Sequence, residues 1–537
     1  MRLLKQDHSL ILLYVGWAAL ALAALFLRPL WPVDETRYLA VAWEMWHRGD
    51  FLVPHLNGEP YSHKPPLLFW LIHAGWAVFG VNEWWPRLMP SLLAFAGVLL
   101  MRRLARQLWP ALVELPNSAT WIVFGTFLFA GLFTLLGFDP LLMCSTLIGM
   151  LGIVRAAQGE RMRGLLWLGV GIGLGVLSKG PVILLHLLPA AVFAPWWARQ
   201  PRAEIARWYL GVLGALLLGA AIALAWAIPA AYFGGESYRN AIFWGQTAGR
   251  MTESFAHRAA WWHYLAMLPL MLFPWFLWPA FWRGMSGLRQ SINEPGVRFL
   301  IAWIVPVFIG FSLISGKQIR YLLPLIPAFA LLAAYALQRL RDKQGKPARF
   351  DLLLPTLACF LLSGLWLYLR LHPAKLDLPD WAATFPAWPA WAFALVGAAL
   401  LFAGSKPLAI RLRALTLSML ALLTVAYLSV IPLLAPYIDT RPVAQHLANL
   451  QARDIPIAYW GKYHAQFNFA GRLTKPLALV DNESVHTWAR EHPQGRIVVI
   501  DRAPTTSAAK PEVERLFRGA YVKVWTGEHF LDATRAP

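Results

Sequence analysis

Residues 31–68 read WPVDETRYLAVAWEMWHRGDFLVPHLNGEPYSHKPPLL, and this stretch separates one apolar run from several hundred further, mostly apolar residues. The run before it, residues 9–27, is close to the roughly 20 residues that a helix needs to cross a bilayer. The stretch itself concentrates acids, bases and histidines at the end of that predicted span. Charged groups at a membrane boundary cost free energy unless they are paired, hydrated or used, so we interpret the stretch as a candidate site.

The composition of the whole chain indicates a membrane protein. Of its 537 residues, 58% are hydrophobic and 14% are charged, whereas about a quarter of the residues are charged in soluble domains. The net charge of +20 comes mostly from Lys and Arg in short connections, where topology and anionic membrane lipids account for it. The sequence has no basic stripe or nucleic-acid-binding motif, so we expect membrane lipids and no nucleic acid as partners.

Apolar runs of sufficient length predict about thirteen transmembrane helices. They lie near residues 9–27, 85–101, 118–136, 140–155, 164–178, 181–198, 209–231, 263–282, 298–314, 321–338, 351–371, 387–404 and 413–434. The first run leads directly into the acidic stretch and is long for a signal peptide, so we expect an uncleaved first helix. The sequence therefore predicts a polytopic α-helical fold.

The positive charges between these runs assign the two sides of the membrane. If the N-terminus is cytoplasmic, every even-numbered connection should be basic, and each carries at least two Lys or Arg residues. Residues 28–84 then form an outer loop. Within it, residues 64–80 are apolar but would invert all later connections if they crossed, and residues 37–48 have an apolar stripe at helical spacing. Both segments are typical of helices that lie in the membrane interface.

The composition changes after residue 435. Short apolar runs at 457–459, 477–480, 497–500 and 522–524 predict strands, and the patterns at 487–491 and 512–518 predict helices. We therefore expect residues 1–435 to form the transmembrane domain and residues 436–537 to form a small α/β domain. The alternation of sides places this second domain outside, with the loop 28–84.

The same alternation places acidic and basic residues together at the outer side of the membrane. They include Asp34, Glu35, Lys64, Asp139, Lys179, Lys317 and Arg320. Lys and Arg neutralise phosphate oxygens, and a carboxylate activates a nucleophile. This combination favours glycosyl transfer from a lipid phosphate, because the phosphate leaves readily once its charge is countered. Each residue also has a structural interpretation, such as helix capping by Asp34 or anchoring of an interfacial helix by Lys64.

Five motifs occur in order along the chain and carry a family resemblance. They are DETRY at 34–38, PHLNGEPYSHKPP at 54–66, FDP at 138–140, LSKGP at 177–181 and AHRAAWWHYL at 256–265. Together they resemble the bacterial branch of the GT-C membrane glycosyltransferases. This branch is related to the protein O-mannosyltransferases and contains the lipid A aminoarabinose (4-amino-4-deoxy-L-arabinose) transferases. The resemblance covers residues 10–340 well.

The resemblance implies roles for individual residues. It implies that Asp34, Glu35 and Asp139 are the catalytic residues, with Asp139 at the family's second acidic position. It implies that Lys64 and Arg320 contact the donor phosphate, to which the cation cluster adds Lys179 and Lys317. The implied donor is a polyprenyl-phosphate-linked sugar, and the implied acceptor is a glycolipid such as lipid A or a protein. The implied location is the periplasmic face of the bacterial inner membrane.

One position departs from the resemblance. The aminoarabinose transferases commonly have Glu before the Lys of the KP motif, and this chain has His63. A pair of His63 and His257 would suit a divalent, zinc-like metal, which we state as an expectation. Two other functions compete with glycosyl transfer: a lipid or sugar transporter or flippase, and a noncatalytic glycolipid-binding factor. A transporter predicts related halves and charges near the midplane, and the sequence shows no internal repeat.

Overall fold

The structure is a computed structural model, and it describes residues 2–245, 258–343, 350–373 and 384–534. The chain divides into two compact units. Unit 1 contains residues 1–25, 63–68 and 83–430, and unit 2 contains residues 26–62, 69–82 and 431–537. Unit 2 thus includes most of the predicted outer loop. The boundary that the sequence predicts between residues 435 and 436 stays a prediction.

The helical membrane fold that the sequence predicts is confirmed. In the described part of the chain, nine helices are long and apolar enough to span a bilayer: Ser9–Leu27, Trp84–Leu108, Asp139–Ala157, Arg161–Lys179, Arg202–Phe233, Pro295–Leu313, Ile319–Asp342, Leu353–Leu371 and Leu408–Ala452. The other four predicted runs form short or interrupted helices: Leu115–Phe124 with Phe127–Leu132, Val182–Val192 with Ala194–Trp197, His263–Met271 with Pro279–Gly287, and Trp388–Ala403. The number of spans stays a prediction.

Shorter elements complete the chain. Outside the helices already given, they are the α-helices Asp34–Arg48, Leu67–Phe79, Gly235–Asn240, Val485–Glu491 and Gly527–Thr534, the 3₁₀ segments Trp275–Leu277 and Leu288–Ser291, and the π-helical turn Ala241–Gly245. Among the nine, Ile319–Asp342 begins with the 3₁₀ segment Ile319–Leu325, and Leu408–Ala452 consists of the helices Leu408–Ile438 and Arg441–Ala452. The strands are β1 His55–Leu56, β2 Glu59–Pro60, β3 Ile457–Trp460, β4 Ala478–Val480, β5 Arg496–Asp501, β6 Val513–Phe517 and β7 Ala520–Thr526.

In unit 1, two helices form a tight antiparallel hairpin. The helices Asp139–Ala157 and Arg161–Lys179 have 19 residues each, and residues 158–160 connect them. The glycine-rich run of the second helix allows the close approach: a Cβ atom on Gly171 would lie 2.7 Å from the backbone nitrogen of Gly149. Because the hairpin is symmetric in length, the first residue of one helix and the last residue of the other lie at the same end.

The two helices that the sequence predicts in the outer loop are present. The helix Asp34–Arg48 buries the predicted stripe, which includes Tyr38, Val41 and Met45. The helix Leu67–Phe79 has 13 residues, or about 20 Å, which is too short for a hydrocarbon core of about 30 Å. Glu44 of the same helix is also buried, and its carboxylate accepts a hydrogen bond from the backbone nitrogen of Gly58 at 2.9 Å.

Unit 2 also contains a five-stranded sheet of order β4-β3-β5-β7-β6. Strand β3 is parallel to both β4 and β5, whereas β7 is antiparallel to β5 and β6. Apolar side chains pack on both faces, with Leu447 and Val498 on one and Val485 and Ile497 on the other. The α/β composition predicted for this region is confirmed.

One predicted helix of this region is wrong. Residues 512–518 have apolar residues at helical spacing, but Val513–Phe517 form β6 and pair with β7. The turn between the strands consists of Arg518 and Gly519, which have φ values of 55° and 79°. Two positive φ values in a two-residue loop are typical of a hairpin turn. The cross-strand pairing therefore overrides the local pattern.

Candidate active site

The hairpin of unit 1 joins two of the predicted site residues. Asp139 begins the first helix and Lys179 ends the second, and the Lys179 ammonium donates a hydrogen bond to the Asp139 carboxylate. The two side chains are 9% and 12% exposed, so solvent screens the pair weakly. The Lys179 ammonium also lies 4.5 Å from the centre of the Tyr321 ring. Such a cation–π contact stabilises a charge in a partly desolvated place.

Two further cations of unit 1 lie against neighbours of this pair. The Lys64 ammonium lies 5.5 Å from the centre of the ring of Phe138, the residue before Asp139. Arg320 precedes Tyr321 in the same 3₁₀ segment, and its Nε donates to the side-chain oxygen of Gln318. Unit 1 therefore brings together one carboxylate and three cations that the sequence assigned to the outer side.

Lys317 has a different environment. Its side chain is buried, and its ammonium donates to the carbonyl oxygens of Ile314 and Ala259 at 2.6 and 3.0 Å. Burial lowers the pKa of Lys317. These bonds hold the segment after the helix Pro295–Leu313 against residues 258–259, so the ammonium has a structural use in addition to the predicted contact with phosphate.

In unit 2, Asp34 and Glu35 have unlike surroundings at the start of one helix. Glu35 is buried and accepts hydrogen bonds from the guanidinium of Arg28 and from the backbone nitrogen of Trp31, the latter at 2.6 Å. Asp34 is one-third exposed and accepts a hydrogen bond from Arg37 at 2.5 Å. Glu35 thus closes the turn that leads into the helix, whereas Asp34 has the access that a catalytic carboxylate requires.

The structure describes only one of the two predicted metal ligands. His63 is exposed, and His257 lies outside the described residues. In the described ranges, no group of three or more His, Cys, Asp or Glu side chains is close enough to hold a metal ion. The divalent metal therefore stays a prediction.

Sequence reasoning missed two partners of the site residues. Arg28, the first residue of the predicted outer loop, was not singled out, although a guanidinium buried there requires an anion. Tyr321 was assigned only to the predicted span 321–338. The signal for Tyr321 was its position directly after Arg320, and the signal for Arg28 was a basic residue between an apolar run and the acidic pair.

Two families match successive parts of the chain. The dolichyl-phosphate-mannose-protein mannosyltransferase family matches residues 63–232, and the Alg9-like mannosyltransferase family matches residues 238–376. The undecaprenyl phosphate-alpha-4-amino-4-deoxy-L-arabinose arabinosyl transferase of Pseudomonas paraeruginosa is 34% identical over 381 residues. This match covers 68% of this chain and 66% of the relative, just under two thirds of its length.

Solved structures show the same fold. The crystal structure of ArnT from Cupriavidus metallidurans in the apo state matches with a TM-score of 0.74, and the one bound to undecaprenyl phosphate matches with a TM-score of 0.70. In both cases the identity is 17%, and the match covers 96% of this chain and 97% of the other. The motifs, the two family matches and the relative make the chain similar to the GT-C superfamily of membrane glycosyltransferases, and the solved structures share its fold.

Proposed function

We propose that this protein transfers a sugar from a polyprenyl-phosphate-linked donor to an acceptor of the bacterial cell envelope. The observation that carries the proposal is the likeness to arabinosyl transferases whose name specifies undecaprenyl phosphate-linked 4-amino-4-deoxy-L-arabinose. The two mannosyltransferase families that match are also named for glycosyl transfer. These matches favour an enzyme over the transporter or flippase that the sequence left open.

The charges of unit 1 suit the departure of a lipid phosphate. In glycosyl transfer from such a donor, the bond between the anomeric carbon and the phosphate oxygen breaks, and the phosphate leaves as an anion. Lys64, Lys179 and Arg320 are proposed to neutralise that charge, with Arg320 able to bind two oxygens at once. A preorganised set of cations stabilises charge that develops in the transition state. Asp139 is proposed to pair with the Lys179 ammonium until the phosphate displaces it.

Asp34 is proposed to be the carboxylate that activates the acceptor. A hydroxyl acceptor loses its proton as it attacks the sugar, and a carboxylate within hydrogen-bond reach accepts that proton. The partial exposure of Asp34 supports this role. Glu35, whose carboxylate closes the turn with Arg28, is proposed to position Asp34.

The proposed acceptor is a glycolipid such as lipid A at the periplasmic face of the inner membrane. The predicted alternation of sides, which places the loop 28–84 and the sheet of unit 2 in the periplasm, supports this choice. A glycolipid is favoured over a protein acceptor because the five motifs resemble the branch that contains the lipid A aminoarabinose transferases.

Transfer by the purified protein tests the proposal. The full chain is reconstituted with an undecaprenyl-phosphate-linked aminoarabinose and lipid A, and the product is measured by mass spectrometry. We expect a product whose mass increases by one sugar and whose formation falls at least about a hundredfold in Asp34→Asn. The control is Asp454→Asn, because Asp454 is an exposed carboxylate elsewhere in unit 2. Product formation by Asp34→Asn at the wild-type rate would contradict the role of Asp34.

A further inference from the structure

The sheet of unit 2 has a pocket at one edge. Its volume is about 310 Å³, which is within the range of small-molecule sites. Its wall includes Trp460 at the end of β3, Ile500 near the end of β5 and Phe517 at the end of β6. These three strands run in the same direction, since β3 and β5 are parallel and β7 is antiparallel to both β5 and β6. The pocket therefore lies at the carboxyl ends of the strands.

The chain connections single out the same place. From β3 the chain continues to β4 on one side of the sheet, whereas from β5 it continues to β6 and β7 on the other side. In open α/β sheets, ligands bind in the crevice where neighbouring strands lead off to opposite sides. The pocket and the topology are independent observations, and both indicate a binding site between the ends of β3 and β5.

The pocket is lined by basic side chains. Lys462 and His464 follow β3, and Arg518 occupies the hairpin turn between β6 and β7. Within the described part of the chain, neither Lys462 nor Arg518 has a carboxylate at ion-pair distance. Two cations without an anion beside a pocket create a positive potential that an anionic ligand would neutralise.

The pocket also adjoins the proposed catalytic carboxylate. Pro32 and Val33, the two residues before Asp34, form part of its wall. Burial and neighbouring Arg and Lys charges lower the pKa of His464, and the charge of Asp34 opposes them. All of these residues belong to unit 2, so this unit alone places a cationic pocket beside Asp34.

We propose that this pocket binds the phosphate-bearing sugar headgroup of the glycolipid acceptor and holds it beside Asp34. The inference rests on the proposed function and specifies the acceptor class of that site. Lys462 supplies a compact charge to the phosphate, and Arg518 supplies a planar fork that matches two phosphate oxygens. Trp460 supplies an aromatic surface for the sugar ring, and its indole nitrogen is already satisfied by Asn482.

Direct binding tests the pocket without reference to turnover. The full chain is placed in nanodiscs of phosphatidylcholine, and three probes are titrated: lipid A with two phosphates, phosphate-free lipid A, and inorganic phosphate. The double variant K462Q/R518Q is compared with R490Q/K510Q, which removes two exposed charges of the same unit away from the pocket. The variant K462R/R518K keeps both charges and serves as the conservative control.

We expect K462Q/R518Q to bind phosphorylated lipid A at least about tenfold more weakly, because each cation–phosphate hydrogen bond is worth about that factor. R490Q/K510Q and K462R/R518K should bind it within about threefold of the wild type. All proteins should bind phosphate-free lipid A equally. Equal binding of phosphorylated lipid A by all four proteins overturns the proposal, and so does binding of inorganic phosphate as tight as that of lipid A.

Kinetics separate the acceptor from the donor. We expect K462Q/R518Q to raise the KM for lipid A and to leave the KM for the lipid-phosphate donor unchanged. A rise in the donor KM instead would assign the pocket to the donor and overturn the proposal. If the wild type transfers no sugar to any acceptor, the proposed function fails, while the binding titration still decides whether the pocket recognises a phosphorylated headgroup.

Discussion

The Lys179 ammonium lies against the Asp139 carboxylate, and the two residues mark the last and first positions of two antiparallel helices. Both side chains are largely buried, so the attraction between them is stronger than at an exposed surface. A phosphate that binds Lys179 therefore has to compete with Asp139. Under the proposed function, the pair would set how tightly unit 1 holds a lipid phosphate before and after transfer.

Removing the carboxylate should strengthen phosphate binding. Asp139→Asn leaves the Lys179 charge without its competitor, so we expect the donor KM to fall and inhibition by free undecaprenyl phosphate to increase, each about fivefold. Lys179→Met should raise the donor KM about tenfold. Steady-state kinetics at varied concentrations of the donor and of free undecaprenyl phosphate measure the donor KM and the inhibition constant. Glu160→Gln, at the exposed turn of the same hairpin, is the control, and an unchanged donor KM in both site variants would contradict the assignment.

The buried pair of Arg28 and Glu35 should determine where Asp34 lies. Their side chains are 1% and 3% exposed, so Glu35→Gln leaves a buried guanidinium without its anion, at a cost of about 3–5 kcal/mol. We expect a lower thermal unfolding temperature of the full chain and a loss of transfer. The double variant R28L/E35L should recover stability, because it removes both charges.

The control for this pair is Glu59→Gln, an exposed carboxylate of the same loop. It should leave the unfolding temperature and the transfer rate unchanged. The interpretation is wrong if Glu35→Gln is as stable as Glu59→Gln. It is also wrong if the double variant R28L/E35L is less stable than Glu35→Gln.

Unit 1 contains a second buried ionic cluster. We expect it to stabilise the fold without affecting substrate binding. Asp351 and Arg411 are almost fully buried and form a salt bridge, and Asp351 also accepts two hydrogen bonds from Arg283. Asp351→Asn should destabilise the protein by about 3–5 kcal/mol and leave the KM of both substrates unchanged. Thermal unfolding in detergent measures the first effect. Asp342→Asn, at an exposed carboxylate, is the control and should change neither the unfolding temperature nor the KM values. Equal unfolding temperatures for Asp351→Asn and Asp342→Asn would contradict the prediction.

The sequence alone predicts that Asp139 and Lys179 lie at the same end of a helical hairpin. Two apolar runs of similar length, near residues 140–155 and 164–178, a short connection and a glycine-rich second run predict an antiparallel hairpin. A symmetric hairpin has its first and last residues at the same end, which is where FDP and LSKGP place the acid and the base. The positive-inside pattern assigned them to one side of the membrane. It contains no distances, so it did not show that the two charges bond to each other.

Other features depend on long-range contacts that local patterns do not contain. Residues 513–517 become a strand because β7 supplies the hydrogen bonds, although their apolar spacing is helical. Arg28 and Glu35 meet through a turn that contains Pro29 and Pro32, where no helical or strand period applies. The basic residues at the carboxyl edge of the sheet come from segments more than fifty residues apart, so only the folded sheet places Lys462 near Arg518.

The pH dependence of the sheet follows from one partly buried ion pair. Lys523 on β7 is buried, and its ammonium donates to the Asp501 carboxylate on β5 at 2.8 Å. This hydrogen bond is the largest cause that lowers the pKa of Asp501. Because the pKa is lower in the folded state than in the unfolded state, the pair stabilises the sheet above about pH 5, and the effect disappears as the pH falls through the folded pKa.

Asp501→Asn should therefore destabilise the sheet at neutral pH and have little effect in acid. The carboxylate is half exposed, so solvent screening limits the loss to about 1 kcal/mol, or roughly fivefold faster amide exchange in β5 and β7 at pH 7. Hydrogen exchange of these strands in the full chain, compared with the wild type at each pH, measures the effect. Asp532→Asn, at an exposed helical position, should exchange like the wild type throughout. A difference between Asp501→Asn and the wild type that does not shrink as the pH is lowered contradicts the linkage, because protonation of the carboxylate removes the ion pair.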